Sequence, residues 1–344
     1  MSRTRCKPSA WSRRHSVGVS LIELMVALTI GLVLMLGAVI VYVKAKDTYA
    51  AMDTTSRMQE TARYALGIIE SDARMAGYLG LMSRPELVTN LNQSIAKPDG
   101  TAVVMPVCDA NNWASNLTRY AFGNDNTYGL SCAASGGGAR AGSDVLVVRR
   151  ASSQRVAQSS AGLKTLAGEA VIITSRSAGL VFVGDANGTI PSGYAQTDPV
   201  DAPPLADTRR LLVHAYYVSV NSSEGVGFPA LRRKTLGTQG GVPTVRDEEV
   251  VPGVEDLQVQ YGVDTNGDRN ADRWVNANDV GATDIVIAVK LWLRVRARER
   301  DVAFNDTATY SYANNGGATI PSADQQFRRI LMSRTVQVRN ARAL

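Results

Sequence analysis

The sequence has few of the side chains that most often carry out chemistry. Its 344 residues include two histidines and three cysteines. The cysteines lack the CxxC spacing of zinc and redox sites, and no nucleophile elbow, metalloprotease helix, phosphate loop or dinucleotide fingerprint is present. His214 lies in the strand-like run LLVHAYYV, where a structural role is far more common than that of a general base. These absences argue against an enzyme.

Charge is also missing from one long run near the N-terminus. From Leu24 to Val43 there are twenty uncharged residues, and a helix of that length covers roughly the 30 Å hydrocarbon core of a bilayer. Upstream, residues 1–18 contain no acid and five bases: Arg3, Arg5, Lys7, Arg13 and Arg14. By the positive-inside tendency this end stays cytoplasmic. The sequence therefore predicts one membrane-spanning helix, with the bulk of the chain on the other side.

Ordinary export signals fit this region less well. A secretory signal has an apolar region of about 7 to 15 residues before a small-residue cleavage site, which is shorter than this run. The small residues Val43 and Ala45 do leave signal-peptidase cleavage open as an alternative. A twin-arginine signal is disfavoured because His15 and Ser16 follow Arg14.

Glu23 stands at the start of the apolar stretch. An acidic side chain costs about 2.5 to 3.5 kcal/mol at the membrane centre and less near its edge, so such residues usually have a partner. Glu23 could simply lie among the lipid headgroups. Alternatively, a cut after Gly18 would expose a cationic amine on Val19, four residues away, and this amine could pair with the carboxylate.

The stretch GVSLIELMVALTIGLVL resembles the class III signal of type IV prepilins and pseudopilins. In that family a prepilin peptidase cleaves after the glycine and methylates the new amine, and the glutamate helps to register an incoming subunit against its neighbour's N-terminus. The resemblance implies cleavage between Gly18 and Val19, N-methylation of Val19, and an assembly salt bridge from Glu23. Val19 departs from the phenylalanine that is commonest there.

Composition changes once such a leader is removed. The formal charge is 37 minus 31, or +6, and without the five bases of the leader it is 32 minus 31, or +1. The basic sequence pI is therefore weak evidence for a nucleic-acid partner. Cys6 leaves with the leader, so Cys108 and Cys132 remain in an oxidising compartment. We expect a disulfide between them, closing about 25 residues and contributing roughly 3 kcal/mol, with two free buried thiols as the alternative.

The helix is expected to continue beyond the membrane segment. Residues 44–78 contain no proline, and their apolar residues recur at nearly helical spacing: Tyr49, Met52, Ala62, Ala65, Leu66, Ile69, Ala73 and Ala76. We predict a helix from Val19 to Ala76 that stops at Gly77. A juxtamembrane coiled coil is the alternative, although these positions do not keep a heptad. Residues 63–80, RYALGIIESDARMAGYLG, resemble the segment typical of PilW-type minor pilins and related type II secretion pseudopilins.

The rest of the chain reads as an irregular segment followed by strands. We divide the sequence into a prepilin leader (1–18), a transmembrane and assembly helix (19–43), an amphipathic stalk helix (44–78), a loop-rich connection with the disulfide (79–143) and a β-rich head (144–344). The head has β-branched, partly alternating runs separated by turn residues. The predicted fold class is α+β and pilin-like, with a long N-terminal helix packed on a C-terminal antiparallel β-sheet head.

Alternating arginines mark one predicted strand, KLWLRVRAR. Leu291, Leu293 and Val295 point to one face, and a row of Trp292, Arg294, Arg296 and Arg298 points to the other. Such a row is most often a solvated face. It could also meet an acidic partner subunit or DNA.

A possible cation site lies in DTNGDRNAD, residues 264–272. Its oxygen-bearing side chains occupy alternate positions, as in an EF-hand loop that binds calcium: Asp264, Asn266, Asp268, Asn270 and Asp272. Arg269 stands where that loop needs glycine, and Val275 stands where it needs a bidentate glutamate, although Asp279 or Asp284 could complete a cage. The alternative is a turn whose polar side chains satisfy its own backbone. Calcium is therefore a possible cofactor, and no other is indicated.

The function that these features favour is that of a minor pilin. The resemblance implies a protein that is stored in the inner membrane with its head in the periplasm and is then built into a type IV pilus, where it primes assembly in the tip complex. Implied partners are other minor pilins, the major pilin, prepilin peptidase and a pilus-tip adhesin, and implied processes are cell adhesion and twitching motility. Alternatives are a type II secretion minor pseudopilin, a DNA- or surface-binding pilin, and a membrane-anchored enzyme that depends on His214.

Overall fold

The structure is a computed structural model, which describes residues 18–91, 94–108, 112–194, 206–313 and 316–341. Residues 1–17 of the predicted leader, with Cys6, lie outside the described residues. The chain divides into two compact units, Met1–Thr54 and Thr55–Leu344. The two units are considered separately below.

One helix dominates the N-terminal part of the chain. Helix α1 spans Leu21–Arg74, 54 residues, and so is two residues shorter at each end than predicted. A turn follows it, and Gly77 adopts a φ of 74°, a left-handed conformation that favours glycine. The Gly77 N–H donates to the Arg149 carbonyl at 3.0 Å. The direction change at Gly77 is thus tied to a strand of the head.

The remaining described elements are mostly strands. Helix α2 spans Ser160–Lys164, and single 3-10 turns span Pro85–Leu87, Ala277–Asp279 and Ser322–Asp324. The strands are β1 (Val88–Thr89), β2 (Ser94–Ala96), β3 (Ala102–Val104), β4 (Ala121–Asn124), β5 (Val145–Val156), β6 (Ala170–Thr174), β7 (Gly179–Val183), β8 (Asp207–Ser219), β9 (Ala230–Gln239), β10 (Val242–Pro252), β11 (Val254–Asp264), β12 (Arg273–Val275), β13 (Ile285–Arg296), β14 (Thr309–Tyr310), β15 (Ala318–Thr319) and β16 (Arg329–Gln337). A long helix followed by a β-rich head confirms the predicted fold class.

Two main sheets form the head. The larger has the order β1-β7-β6-β8-β5-β4, with β9 pairing β8 and β10 pairing β9. Its pairs are antiparallel except for β1 with β7, which is parallel. The smaller sheet is antiparallel, with the order β12-β11-β13-β16, and two-stranded sheets join β2 to β3 and β14 to β15. The predicted antiparallel sheet is therefore two sheets, one of them mixed.

The C-terminal part of α1 is buried along one stripe. The six stripe positions are spaced alternately by four and three residues: Met58, Ala62, Ala65, Ile69, Asp72 and Ala76. The stripe packs in one hydrophobic cluster with residues of both sheets, among them Leu146 of β5 and Leu257 of β11. The spacing does keep a heptad-like pattern, contrary to the sequence interpretation, but the partner is a pair of sheets instead of another helix.

A second core lies around the segment predicted to be a loop-rich connection. Trp113, Leu117 and Phe122 are buried there with residues of β6 and β7. The segment contributes β1 to β4, and a disulfide joins Cys108 to Cys132, with Cα atoms 4.6 Å apart. The segment is therefore part of the head's core, and the alternative of two free thiols is wrong.

Candidate functional site

The residues at the start of α1 form a helix cap. Gly18, Val19 and Ser20 are exposed and precede the helix. The Leu24 N–H donates to the Ser20 carbonyl at 3.1 Å, and the Ser20 N–H donates to Glu23 Oε2 at 3.1 Å. Ser20 is thus the N-cap, and Glu23 supplies the side-chain half of a capping box. Sequence reasoning missed this role, although the signal was present as serine three residues before glutamate.

The apolar run after the cap is exposed throughout. Every residue from 18 to 50 is solvent-exposed in the structure. Helix α1 is long and apolar enough to cross a membrane by length and composition, and it lies near the N-terminus. Such an exposed apolar surface indicates a contact with lipid or with other protein chains.

Inside the head, a buried carboxylate on α1 is surrounded by donors. Asp72 is 3% exposed. Arg150 of β5 donates to its Oδ1 from Nε at 3.1 Å and from Nη2 at 2.8 Å. On the other oxygen, Oδ2, the Nδ1 of His214 lies at 2.5 Å, and the Tyr216 hydroxyl donates. The cluster Asp72, Arg150, His214 and Tyr216 is called the helix lock below, because it joins α1 to two strands of the larger sheet.

The groups of the helix lock shift one another's pKa values. Burial alone would raise the pKa of Asp72, but the hydrogen bond and charge of His214, the Tyr216 hydroxyl and Arg150 hold that pKa well below its ordinary value. Burial and the charge of Asp72 raise the pKa of Tyr216 well above its ordinary value. Asp72 is therefore ionised and Tyr216 protonated at neutral pH, and the described contacts of His214 are those of a structural residue.

The position of Asp72 along α1 places this acid on the buried side of the helix. Asp72 follows Ile69 by three residues and precedes Ala76 by four, so it falls on the apolar stripe. A carboxylate on such a stripe needs a buried partner. That spacing was the available signal, while the identity of the partners depends on tertiary pairing.

A second buried carboxylate lies in the smaller sheet. Glu255 of β11 accepts from Arg329 Nε at 2.7 Å and from Arg294 Nε at 3.0 Å, both at Oε2. Arg140 Nη2 lies 3.3 Å from Oε1, and Arg329 Nη1 lies 3.3 Å from Asp306 Oδ2. Burial raises the pKa of Glu255, but the hydrogen bond and charge of Arg329, followed by Arg294 and Arg140, lower it overall. These residues form the strand network.

The alternating arginines of β13 are therefore not a solvated row. Arg294 is 7% exposed and Arg296 is 6% exposed. The Arg294 guanidinium lies 5.3 Å from the Tyr310 ring centroid, and that of Arg296 lies 4.2 Å from the Phe327 ring centroid. The segment after β13 covers this face, so the prediction of a solvated face is wrong for Arg294 and Arg296, whereas Arg298 is exposed as predicted. Neither buried arginine is placed to contact DNA.

The predicted calcium loop is a turn with many internal hydrogen bonds. The Asp264 carboxylate accepts from the backbone N–H groups of Asn266, Gly267 and Arg269 at 3.1, 2.6 and 2.8 Å. Arg269 adopts a φ of 67°, so it takes the left-handed conformation expected of glycine at that position. The turn alternative accounts for these contacts.

The other side chains of that loop are engaged in the same way. Asp272 Oδ2 accepts from the Thr265 N–H at 2.7 Å, and the Asn270 N–H donates to Asp268 Oδ1 at 2.7 Å. Over the described ranges there is no group of three or more histidine, cysteine, aspartate or glutamate residues placed to hold a metal ion. Calcium binding here stays a prediction.

Comparisons with known proteins match two segments of the chain. Residues 13–39 match the prokaryotic N-terminal methylation motif, which spans Gly18, Val19 and Glu23. Residues 215–340 match the family described as type IV pilus-assembly protein W, PilW. The two matches, which together cover less than half of the chain, support a PilW-type minor pilin. The PilW match contains most of the strand network, whereas residues 63–80, which carried the resemblance in the sequence, lie outside both matched ranges.

Further comparisons add little to the PilW assignment. A type IV-like pilin from Thermus thermophilus has a similar structure at 14% sequence identity, covering 83% of this chain and 98% of that chain, with a TM-score of 0.32. A TM-score that low does not establish a common fold. No curated protein matches the sequence. The PilW assignment therefore depends on the two matched segments.

Proposed function

We propose that this PilW-type chain is cleaved between Gly18 and Val19, methylated on the Val19 amine and built into a type IV pilus as a minor pilin of the tip complex. The observation that carries the proposal is the methylation motif at residues 13–39, which runs into a helix whose apolar residues are exposed from Leu21 to Ala50. Pilins are structural proteins, so the function lies in subunit contacts. The proposed partners are other minor pilins, the major pilin, prepilin peptidase and a tip adhesin.

The geometry at the helix start suits this processing. The bond between Gly18 and Val19 lies outside the helix in exposed backbone, where a protease can bind it. Cleavage would leave a cationic amine on Val19, and the carboxylate of Glu23 is held in the first turn by the Ser20 N–H. In a bundle of such helices, the amine of one subunit can pair with Glu23 of another. Burial of the apolar surfaces would strengthen that pairing, because the local dielectric constant falls.

The experiment that tests processing is intact-mass and N-terminal analysis of the membrane form, from cells with and without prepilin peptidase. We expect a methylated N-terminus at Val19 that depends on the peptidase. An uncut chain, or one that begins at Lys46, would overturn the proposal.

A matched pair of glycine variants separates recognition from folding. A Cβ built on Gly18 or on Gly31 meets nothing within 4 Å, so neither Gly18→Val nor Gly31→Ala strains the folded chain. We expect Gly18→Val to block cleavage and Gly31→Ala to leave it unchanged. Equal processing of both variants would show that the cut does not occur after Gly18.

A type II secretion pseudopilin is the second candidate, because it carries the same N-terminal signal. The PilW match favours the pilus. Deletion of the gene should therefore reduce the number of surface pili and leave protein secretion intact. Loss of secretion with normal pili would reverse the choice.

A further inference from the structure

The sheet edges of the head differ in how they are protected. Edge strands present unpaired backbone groups, and proteins usually shorten, charge or bulge them to prevent pairing with other chains. The edge strands β1, β4 and β12 contain two, four and three residues. Strand β10 contains Pro243 and Pro252, a run of four charged residues, and an irregularity between Glu249 and Val251.

Strand β16 lacks these protections. It contains nine residues with no proline, and it pairs with β13 from Arg329 to Gln337 without a register shift. Apart from Arg329, which is buried in the strand network, its one charged residue is Arg334. Among the described edges of the two main sheets, β16 is therefore the one suited to accept another strand.

The register shows which backbone groups of β16 are available. The Val338 N–H donates to the Ile287 carbonyl, so even-numbered residues of this strand hydrogen-bond to β13. Odd-numbered residues then direct their N–H and C=O groups away from the sheet: Leu331, Ser333, Thr335 and Gln337. Within the described ranges these outward groups have no hydrogen-bond partner, and all four residues are exposed. Farther along, the Arg339 N–H donates to the Arg74 carbonyl of α1, which ends the open edge.

The side chains of β16 define what an added strand would meet. Ile330 and Met332 are partly buried and pack against the hydrophobic cluster that contains α1. On the opposite face, Ser333 and Thr335 stand beside Trp292 and Lys290 of β13. An added strand would therefore place apolar side chains next to Met332 and polar side chains next to Thr335, in the usual alternation of a strand.

The charge of β16 indicates which kind of chain could supply the added strand. Residues 329–340 include Arg329, Arg334 and Arg339 and no acid. In an antiparallel pair of two β16 strands centred on Ser333, the two Arg334 residues would be diagonal neighbours, which is unfavourable for like charges. Arg334 is about half exposed, although it already contacts Glu70, so its guanidinium can also donate hydrogen bonds to a second carboxylate. The edge thus suits a neutral or acidic strand from a different chain.

We propose that β16 receives an extended strand from another polypeptide, apolar on the side facing Met332 and with a carboxylate near Arg334. The proposal adds a contact in the head to the proposed function and does not require processing at Gly18. Backbone hydrogen bonds would supply affinity, and the side-chain pattern would supply specificity.

The test uses the full chain in detergent and a capped peptide of eight residues, alternating valine and threonine, with glutamate at one central position. Hydrogen exchange is measured with and without the peptide at about 1 mM, a concentration that detects weak binding. We expect exchange at Leu331, Ser333, Thr335 and Gln337 to slow about tenfold. The same peptide with alternate backbone amides N-methylated should give no protection. No protection by the unmodified peptide would overturn the proposal, and processing at Val19 would be unaffected by that result.

Variants locate the binding. Ser333→Pro removes an outward N–H and leaves the hydrogen bonds to β13 in place, so it should abolish protection, while Ser333→Ala should bind like the parent. Equal binding by the two variants would contradict the proposal.

A second variant does not depend on proline being tolerated. Arg334→Gln should weaken binding of the glutamate peptide and leave binding of its glutamine counterpart unchanged. Equal losses for both peptides would contradict the assigned carboxylate. Sedimentation analysis covers the remaining case, because a dimer of the parent that Ser333→Pro abolishes would replace the foreign strand with a second copy of this chain.

Discussion

The two parts of helix α1 each carry one carboxylate among apolar residues, and the two carboxylates are treated differently. Asp72, in the head, is buried and accepts hydrogen bonds from Arg150 and Tyr216 beside His214. Glu23, in the N-terminal unit, is exposed and accepts from the Ser20 backbone. The first carboxylate is neutralised by its own chain. The second has a local cap and no cationic partner among the described residues.

This difference predicts a folding role for Asp72 and fits the assembly role proposed for Glu23. Removing one partner of a buried ion pair leaves an uncompensated charge, so Asp72 should matter for the stability of the single chain. An exposed acid contributes little to stability, so the importance of Glu23 should show only when several chains are present. The following predictions test this contrast, from the largest expected effect to the smallest.

Asp72→Ala should lower the free energy of unfolding by about 3 to 5 kcal/mol, because Arg150 and His214 would remain buried without a carboxylate. Urea unfolding of the full chain in detergent, followed by tryptophan fluorescence, measures the change. Glu70→Gln is the matched control, since Glu70 lies on the same helix and pairs with the more exposed Arg74 and Arg334. That control should change stability by about 1 kcal/mol or less. Similar losses for the two variants would remove the special role of Asp72.

Asp144 extends the comparison of Asp72 with Glu23, because it is a buried acid with no cation in its described contacts. Burial, then the charges of Asp125 and Asp256, raise its pKa to about 7, despite hydrogen bonds from the N–H groups of Asn126 and Val259. The folded chain therefore holds this proton up to about pH 7, and the unfolded chain releases it near pH 4. Stability from this group is present below pH 4 and is lost as pH rises to about 7.

Asp144→Asn should remove the loss of stability that the parent shows as the pH rises from about 4 to about 7. We expect the variant to be less stable than the parent by about 1 to 3 kcal/mol at pH 4.5, because one N–H loses its acceptor, and to be closer to the parent at pH 7.5. Urea unfolding at the two pH values measures the difference. Asp72→Ala should behave differently, with a penalty that is the same at these two pH values and shrinks only below about pH 4, because the pKa of Asp72 is depressed and its stability is lost as pH falls below the unfolded pKa. Parallel pH profiles would contradict the assigned shifts.

In the loop at residues 264–272, the carboxylate of Asp264 accepts its hydrogen bonds from backbone N–H groups. Asp264→Ala should lower stability by about 1 to 2 kcal/mol in chelator, because three N–H groups lose their acceptor. The calcium hypothesis adds a separate expectation, a rise of about 2.7 kcal/mol at calcium a hundredfold above Kd, and this rise should disappear in Asp268→Ala. No response of the parent to calcium would leave the loop as a turn.

Glu23→Gln should have the smallest effect on the single chain, within about 0.5 kcal/mol of the parent. In cells, the same variant should enter pili less efficiently than the parent, because the assembled helices lose a charge pair. Counting surface pili beside an unfolding curve measures both properties of one variant. Normal piliation would contradict the assembly role of Glu23, and a destabilised head would contradict its separation from folding.

The sequence predicted the features that depend on local pattern. The long apolar run and the β-rich head follow from composition and periodicity, and the methylation signal around Gly18 follows from the resemblance to type IV prepilins. The pairing of Cys108 with Cys132 was predicted because Cys6 lies in the proposed leader. Each of these needs no knowledge of which strand lies beside which.

The features that the sequence did not predict depend on which distant segments pack over a residue in the folded chain. Alternation along β13 shows that Arg294 and Leu293 face opposite sides, but the burial of Arg294 depends on the segment that carries Tyr310 and Phe327. The partners of Asp72 also depend on the tertiary fold, because Arg150 and His214 lie 78 and 142 residues away. Glu23 was assigned to assembly, and its second role as a cap needed only the three-residue spacing from Ser20.

The contact between Glu70 and Arg334 spans 264 residues of sequence, and this span affects the order of folding. Synthesis delivers α1 first and β16 last. The apolar stripe of α1 likewise waits for later strands, among them β5 with Leu146 and β11 with Leu257. Contacts of such separation form slowly because loop closure opposes them. Until those strands have been made, the exposed stripe is the part of the growing chain most prone to aggregation.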